Sequence, residues 1–260
     1  MRIIISPAKK MKVDNDVLLH KSMPIFIDEA QELLNYMRKL TYDELKSLWK
    51  CNDSIARLNY GRIRNMDLYN NLTPAILSYE GIQYQYMAPG VFEYEELDYI
   101  EEHLRILSGF YGVLRPFDGV APYRLEMQAK PINWKYKSLY EFWGDKIANE
   151  LFNESRLILN LASKEYSKCV SCYLKKDIRF VTCVFGELIN GKVVEKGTLV
   201  KMARGEMVRF MAENKIIDIE DIKAFNRLGY VFKEELSDES NFVFIKEADN
   251  NSIDEEWNDD

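Results

Sequence analysis

The hydrophobic positions of this chain change period several times, and each change marks an element. Residues 2–5 (RIII) form a short apolar run that predicts a buried strand. Ile27, Ala30, Leu33, Leu34, Met37 and Leu40 recur at helical spacing and predict a helix over 27–40. Thr41 with Glu44 forms a Thr-x-x-Glu capping box that starts a second helix through Lys50, and a third is expected from Asp53 to Arg64. Thr73-Pro74 reads as an N-cap followed by proline at the first helical position. Residues 94–107 read as one helix, with Leu97, Ile100, Leu104 and Leu107 on one face and acids on the other. Ser138 with Glu141 repeats the capping box and predicts a helix to Phe152.

After that point the pattern turns toward strands. LILNL (157–161) is a near-continuous apolar run, as in a central strand buried on both faces. Asn190-Gly191 between 178–189 and 192–199 is a strong short hairpin signal. A helix is expected over 203–214 and a shorter one over 219–226, and GYVF (229–232) with NFVFI (241–245) reads as a terminal hairpin. The elements mix without regular alternation, and no repeat, heptad seam or low-complexity linker precedes the tail. The expected fold is therefore mixed α/β (α+β): a single compact domain over 1–246, with a central mixed β-sheet surrounded by helices.

Charge sharpens this picture. The net charge of −7 comes from a tail, 247–260, that carries seven acids and no Lys or Arg and is expected to be disordered. The remaining body balances 35 acids against 35 bases. Within it, residues 80–102 hold seven acids and no Lys or Arg, whereas 36–64 hold seven Lys or Arg against three acids, so a local basic face toward phosphates is compatible with neutrality. No run of about 18 apolar residues predicts a membrane span, and the apolar start is too short for a signal peptide. A cytoplasmic location is the expectation. Four cysteines are expected to be reduced there. With only two histidines, a Ser–His–Asp site or a multi-histidine metal site has almost nothing to draw on, and no metal or cofactor is expected.

The candidate chemistry is concentrated in LSGFYGVLRPFDGVAPYRLEM (107–127). Its glycines and prolines fix a loop shape. Arg115 and Arg124 are planar, permanently charged donors suited to carboxylate or phosphate. Asp118 and Glu126 are their candidate partners. One reading is an internal ion-pair network that pins the loop; the other is an anion pocket whose arginines those acids orient. ISPAKK puts Ser6, Lys9 and Lys10 just past a strand, and NLASKEY (160–166) puts Asn160, Ser163, Lys164, Glu165 and Tyr166 at another strand's carboxyl end, where open sheets bind ligands. Arg204 falls at the expected start of the 203–214 helix, where a cation opposes the dipole unless an anion is near. Cys169 and Cys172 form a lone C-x-x-C without a second pair for zinc and without a clear redox-fold context. Carboxylates in 93–102 or the tail offer iron no facial triad of two His and one acid.

Taken together, I-I-I-S-P-A-K (3–9), L-R-I-L-S-G-F-Y-G-V-L-R-P-F-D (104–118), P-Y-R-L-E-M (122–127), L-Y-E-F-W-G-D (139–145), N-L-A-S (160–163) with Glu165-Tyr166, and A-R-G (203–205) resemble the YaaA family of peroxide-stress resistance proteins. The resemblance implies a bacterial cytosolic protein linked to hydrogen-peroxide stress, to limitation of free iron and to protection of DNA. It implies a YaaA-type mixed α/β fold with a basic cleft, a helix-hairpin-helix-like element and binding of double-stranded DNA, and no established reaction. The anion pocket expected on this combined reading comprises Ser6, Lys9, Arg115, Asp118, Tyr123, Arg124, Glu126, Asn160, Ser163 and Arg204. The helix-hairpin-helix maps to 40–62, which lacks the usual Gly-x-Gly; its Lys46, Lys50, Arg57 and Arg62, with Lys201 and Arg209, are the expected DNA contacts. An alternative stays open: an enzyme acting on a nucleotide, nucleobase or other small anionic molecule in the same pocket, with Lys9 as nucleophile or anion clamp.

Overall fold

A computed structural model describes residues 1–14 and 18–247. The chain begins with β1 (Arg2–Ile5) and a two-residue β2 (Lys10–Met11). Three helices follow: α1 (Ile27–Lys39), α2 (Tyr42–Trp49) and α3 (Asp53–Asn65). Then come β3 (Thr73–Pro74), α4 (Ala75–Ser78), β4 (Tyr79–Glu80), α5 (Ile82–Met87) and α6 (Tyr94–His103). The middle of the chain gives β5 (Leu104–Ser108), β6 (Gly112–Leu114), β7 (Gly119–Val120), α7 (Leu139–Trp143), α8 (Lys146–Glu154), β8 (Leu157–Leu161) and α9 (Lys164–Ser171). The last part gives β9 (Arg179–Ile189), β10 (Lys192–Val194), α10 (Gly197–Glu213), β11 (Tyr230–Phe232) and β12 (Asn241–Lys246).

One sheet organises the molecule, in the order β11-β12-β9-β8-β1-β5-β6, with β10 extending the far half of β9. Its five central strands are mutually parallel, and antiparallel β11 and β6 close the edges. Ile3, Ile4 and Ile5 of β1 are fully buried, as a strand covered on both faces requires. The mixed α/β single-domain expectation holds. The chain leaves β1 toward β5 on one side, whereas β8 and β9 build outward on the other. The gap beyond the carboxyl ends of β1 and β8 is therefore a topological switch point, the position at which open parallel sheets leave a crevice.

Several elements differ from their expected bounds. The apolar run ending at Leu107 is two elements, because α6 stops at His103 and LRILS (104–108) enters the sheet beside β1. The expected helix from Ser138 to Phe152 breaks at Gly144, whose φ of +51° ends α7. Thr73-Pro74 pairs with β7, and the helix opens one residue later than expected, as α4 at Ala75 with Pro74 as its N-cap. The short helix near 219–226 is 3-10, Ile219–Ala224. The Asn190-Gly191 turn forms as expected, with φ of +51° and +74°. The helix expected at 203 begins six residues earlier, at Gly197, so Arg204 lies well inside α10 and the dipole argument for it lapses. No helix among the described residues is long and apolar enough to cross a membrane. Apart from Glu247, the acidic tail lies outside the described residues.

Candidate functional site

Ser6 follows β1 directly, and Ser163 follows β8 by two residues. The hydroxyls of Ser6 and Ser163 lie 3.3 Å apart, and the Ser163 amide donates to Ser6 Oγ at 2.9 Å, which ties the two strand ends together. Beyond this tie opens a cavity of 380 Å³, within the range of about 300–1,000 Å³ typical of small-molecule sites. Lys9, Lys10, Lys201 and Arg204 supply positive charge to its lining, and Glu80, Glu126 and Glu165 supply negative charge.

Each wall has a local cause. Lys10 and Glu80 are register partners in the β2–β4 bridge, and their side chains meet at 2.9 Å. The Tyr84 hydroxyl donates to the Ser6 carbonyl at 3.0 Å, locking α5 against the end of β1. α10 lies against α5 so closely that a Cβ on Gly205 would stand 2.2 Å from the Gln83 carbonyl oxygen. That contact sets the neighbouring Arg204 into the cavity wall. Its side chain is only 12% exposed, its one carboxylate neighbour, Glu195, is 3.9 Å away, and its buried Nε has no hydrogen-bond partner among the described residues. Burial pulls the Arg204 guanidinium below its usual pKa. A buried guanidinium with an unused donor is costly unless something accepts from it.

Also on the lining, Glu126 holds two cations: Lys9 Nζ at 2.8 Å from Oε2 and Arg124 Nη2 at 3.3 Å from Oε1. Arg124 stands behind Glu126, and its buried Nε has no partner among the described residues. Glu165 accepts from the Gln128 amide at 3.2 Å; burial first, and the neighbouring Glu126 charge in addition, push its carboxyl above the usual range. The first turn of α9 has no side-chain cap, so the positive end of the helix at Ser163 faces the cavity that Ser163 lines.

Of the ten residues expected in the anion pocket, Ser6, Lys9, Glu126, Ser163 and Arg204 line this one cavity. Arg124 is one contact behind. Tyr123 and Asn160 are structural neighbours instead. The Tyr123 hydroxyl is buried between Ser108 Oγ at 2.6 Å and the Tyr79 hydroxyl at 2.9 Å. Asn160 brackets the end of β8, accepting from the Ala162 amide and donating to Thr182 Oγ1. Arg115 and Asp118 lie elsewhere, on a separate cavity of 120 Å³ with Arg105, Glu150 and Glu154. Asp118 accepts from the Arg115 backbone amide and the Ser22 hydroxyl, so it fixes the loop and not the Arg115 guanidinium. The two arginines of the 107–127 segment thus serve different places.

The expected DNA contacts are likewise divided. Lys201 lines the cavity. Lys46 and Arg57 both pair with Asp53, at 3.1 and 2.7 Å. Arg62 donates to the Met11 carbonyl at 2.9 Å, and Arg209 pairs with Glu213 at 2.7 Å. Lys50, in a left-handed conformation in the turn between α2 and α3, is exposed and forms no ion pair among the described residues. Lys10, placed with Ser6 and Lys9 past the first strand by the sequence, also lines the cavity, whereas Glu80, Gln83 and Tyr84 complete it without any sequence signal, because a two-residue bridge and a short helix leave no periodicity to detect. Cys169 is buried on α9 and Cys172, the residue that follows the helix as its C-cap, is exposed, both as free thiols. No cluster of three or more His, Cys, Asp or Glu suited to a metal occurs among the described residues.

The family described as peroxide stress protein YaaA matches residues 1–236. A UPF0246 protein of Agathobacter rectalis is 57% identical over 244 residues, covering 94% of this chain and 98% of that protein. One of Desulfitobacterium hafniense is 58% identical over 246 residues, covering 95% and 98%. One of Pediococcus pentosaceus is 53% identical over 246 residues, again covering 95% and 98%.

Proposed function

Because the chain belongs to the peroxide stress protein YaaA family, we propose that it acts in the cytoplasm as a non-enzymatic DNA-binding protein of the peroxide-stress response. On this reading the strand-end cleft takes backbone phosphates of double-stranded DNA and thereby shields the DNA from iron-dependent oxidative damage. The observation that carries the proposal is the Arg204 guanidinium: buried, with an unused Nε donor, on a cavity whose lining also holds Lys10 and Lys201. A phosphate oxygen is the acceptor that such a planar donor suits. The uncapped start of α9 adds a further attraction for an anion. Lys50, exposed in the α2–α3 turn, offers an outlying phosphate contact, whereas Lys46, Arg57, Arg62 and Arg209 are already engaged within the protein and contribute less.

The test is a fluorescence-anisotropy titration of an end-labelled duplex over a series of salt concentrations. Binding is expected to weaken steeply between about 50 and 200 mM salt, as counterion release demands. Arg204→Ala should lower affinity by roughly 10- to 100-fold, the worth of about 1.5–3 kcal/mol for a charged hydrogen bond. Absence of duplex binding, or binding indifferent to salt, refutes the reading.

One observation favours the second reading, an enzyme acting on a nucleotide or nucleobase. Glu165, its carboxyl pushed up by burial, sits on the same cavity as the Lys9–Glu126 pair, which places a proton-holding acid near a lysine. Turnover of a nucleotide or nucleoside that is lost in Glu165→Gln would support it, and unchanged turnover in that variant would remove Glu165 from the chemistry.

A further inference from the structure

The cleft is larger and more varied than a phosphate needs. Its charged groups lie on Lys9, Lys10, Lys201, Arg204 and the three glutamates. Pro7, Ala8 and Ile82 give it an uncharged stretch of wall, backed by the buried rings of Tyr84 and Tyr166. This stretch is closed by close packing: a Cβ on Gly81 would stand 2.9 Å from the Ala8 Cβ, so only a glycine lets the start of α5 approach the loop after β1. A phosphate held by Arg204 leaves that wall uncovered, and most of the 380 Å³ unfilled.

Two further polar groups line the same cavity. The Gln83 amide has only a long contact, 3.5 Å, to the Leu161 carbonyl, and it retains hydrogen-bonding capacity. Glu165 accepts the Gln128 amide through Oε1, and the Met127 amide also faces its carboxyl. A flat apolar face with a mixed donor and acceptor edge is the description of a nucleobase. A second groove, of 370 Å³, shares Glu80, Gly81 and Tyr84 with the cleft as lining and continues past Lys12 and Gly90. A ligand that runs on beyond one residue, such as a nucleic-acid strand, has room there that a mononucleotide does not use.

Resting on the DNA reading above, we propose that the cleft receives a nucleobase swung out of the duplex stack, seated against Pro7, Ala8 and Ile82 while the flanking phosphates meet Arg204 and Lys201. A base inside the helix is stacked on both faces and cannot reach a walled cavity, so extrusion is a condition of occupancy. Unpaired or mismatched bases cost less to extrude, and the cleft accordingly favours duplexes that contain one.

The experiment uses the full chain and a duplex carrying a single 2-aminopurine, whose fluorescence is quenched by stacking, with an anisotropy label at one end. At protein concentrations that saturate the anisotropy signal, 2-aminopurine emission is expected to rise several-fold, with tighter binding when the analogue sits in a mismatch. Ile82→Trp, which narrows the uncharged end of the cavity, should bring the emission, read at concentrations that saturate the variant's own anisotropy signal, back to that of free duplex. Saturated anisotropy without a rise in emission overturns this inference and leaves the DNA reading standing. A rise of wild-type size in Ile82→Trp also overturns it. No anisotropy change in the wild-type protein overturns both.

Discussion

Arg204 and Glu165 shape the cleft by opposite consequences of the same burial. A guanidinium keeps its charge when buried, so the energetic demand falls on finding an acceptor, and its Nε finds none within the described residues. Arg204→Lys retains the charge but not the planar fork. It is expected to recover little of the affinity lost in Arg204→Ala when both variants are titrated with the same duplex. A carboxyl responds to burial by holding its proton. The Glu165 pKa is pushed up by desolvation and by the Glu126 charge, so as pH falls through the upper carboxylate range Glu165 becomes neutral before an ordinary glutamate does. Neutralising it removes a negative charge from the proposed phosphate site, so on that reading duplex affinity should increase as pH falls from 8 toward 5.5. Glu165→Gln should flatten that dependence and bind at pH 8 about as tightly as the wild type binds at low pH. Anisotropy titrations across this range measure both effects, and an identical pH profile in wild type and variant would refute Glu165 as the titrating group.

At the scale of elements, the cleft depends on how closely α10 meets α5, and two glycines in helices show it by contrast. A Cβ placed on Gly61 in α3 would meet nothing within 4 Å, so Gly61→Ala gains helix propensity and should stabilise by about 1 kcal/mol. Gly205→Ala gains the same propensity, but its methyl would sit 2.2 Å from a backbone carbonyl of α5. Overpacking costs typically about 1–3 kcal/mol and the obstacle is backbone, so the clash outweighs the propensity. Urea midpoints should therefore move in opposite directions, and Gly205→Ala should also weaken DNA binding by displacing Arg204. The elements legible in the sequence were those with a cap or a full period behind them: the Thr41 and Asn190-Gly191 signals and the LILNL strand all stand where expected. The boundary at 103/104 was illegible because Leu104 and Leu107 are three apart, as on a helix. Arg105, buried in the strand and paired with Glu154 at 2.8 Å, also mimics a polar helical face. The site was half legible for a similar reason. Residues just past the apolar strands β1 and β8, Lys10 among them, could be placed beforehand, whereas Glu80 and Gln83 arrive through a two-residue bridge and a short helix that carry no pattern.

For the molecule as a whole, the charge balance of 35 bases against 42 acids means that no long-range attraction for DNA exists to be shared over the surface. On the proposed DNA reading, binding comes from a few cations gathered at the switch point of the sheet, and that makes its salt dependence a count of them. Lys201 forms no ion pair among the described residues and Arg204 only a loose one, with Glu195 at 3.9 Å, whereas Lys10 is held by Glu80 and Lys9 by Glu126. Each phosphate neutralised contributes a slope of about −0.9 in log affinity against log salt, so a slope of about −2 to −4 is expected, shallow beside that of strongly basic DNA-binding proteins. Glu126→Gln tests the arithmetic directly. It removes the carboxylate that holds Lys9 and Arg124 while preserving side-chain shape, and it frees Lys9 for a phosphate. The variant should bind duplex more tightly at low salt and steepen the slope by about one. A slope unchanged from wild type would mean that Lys9 stays outside the contact, and that the bound strand approaches the cleft from the α10 side alone.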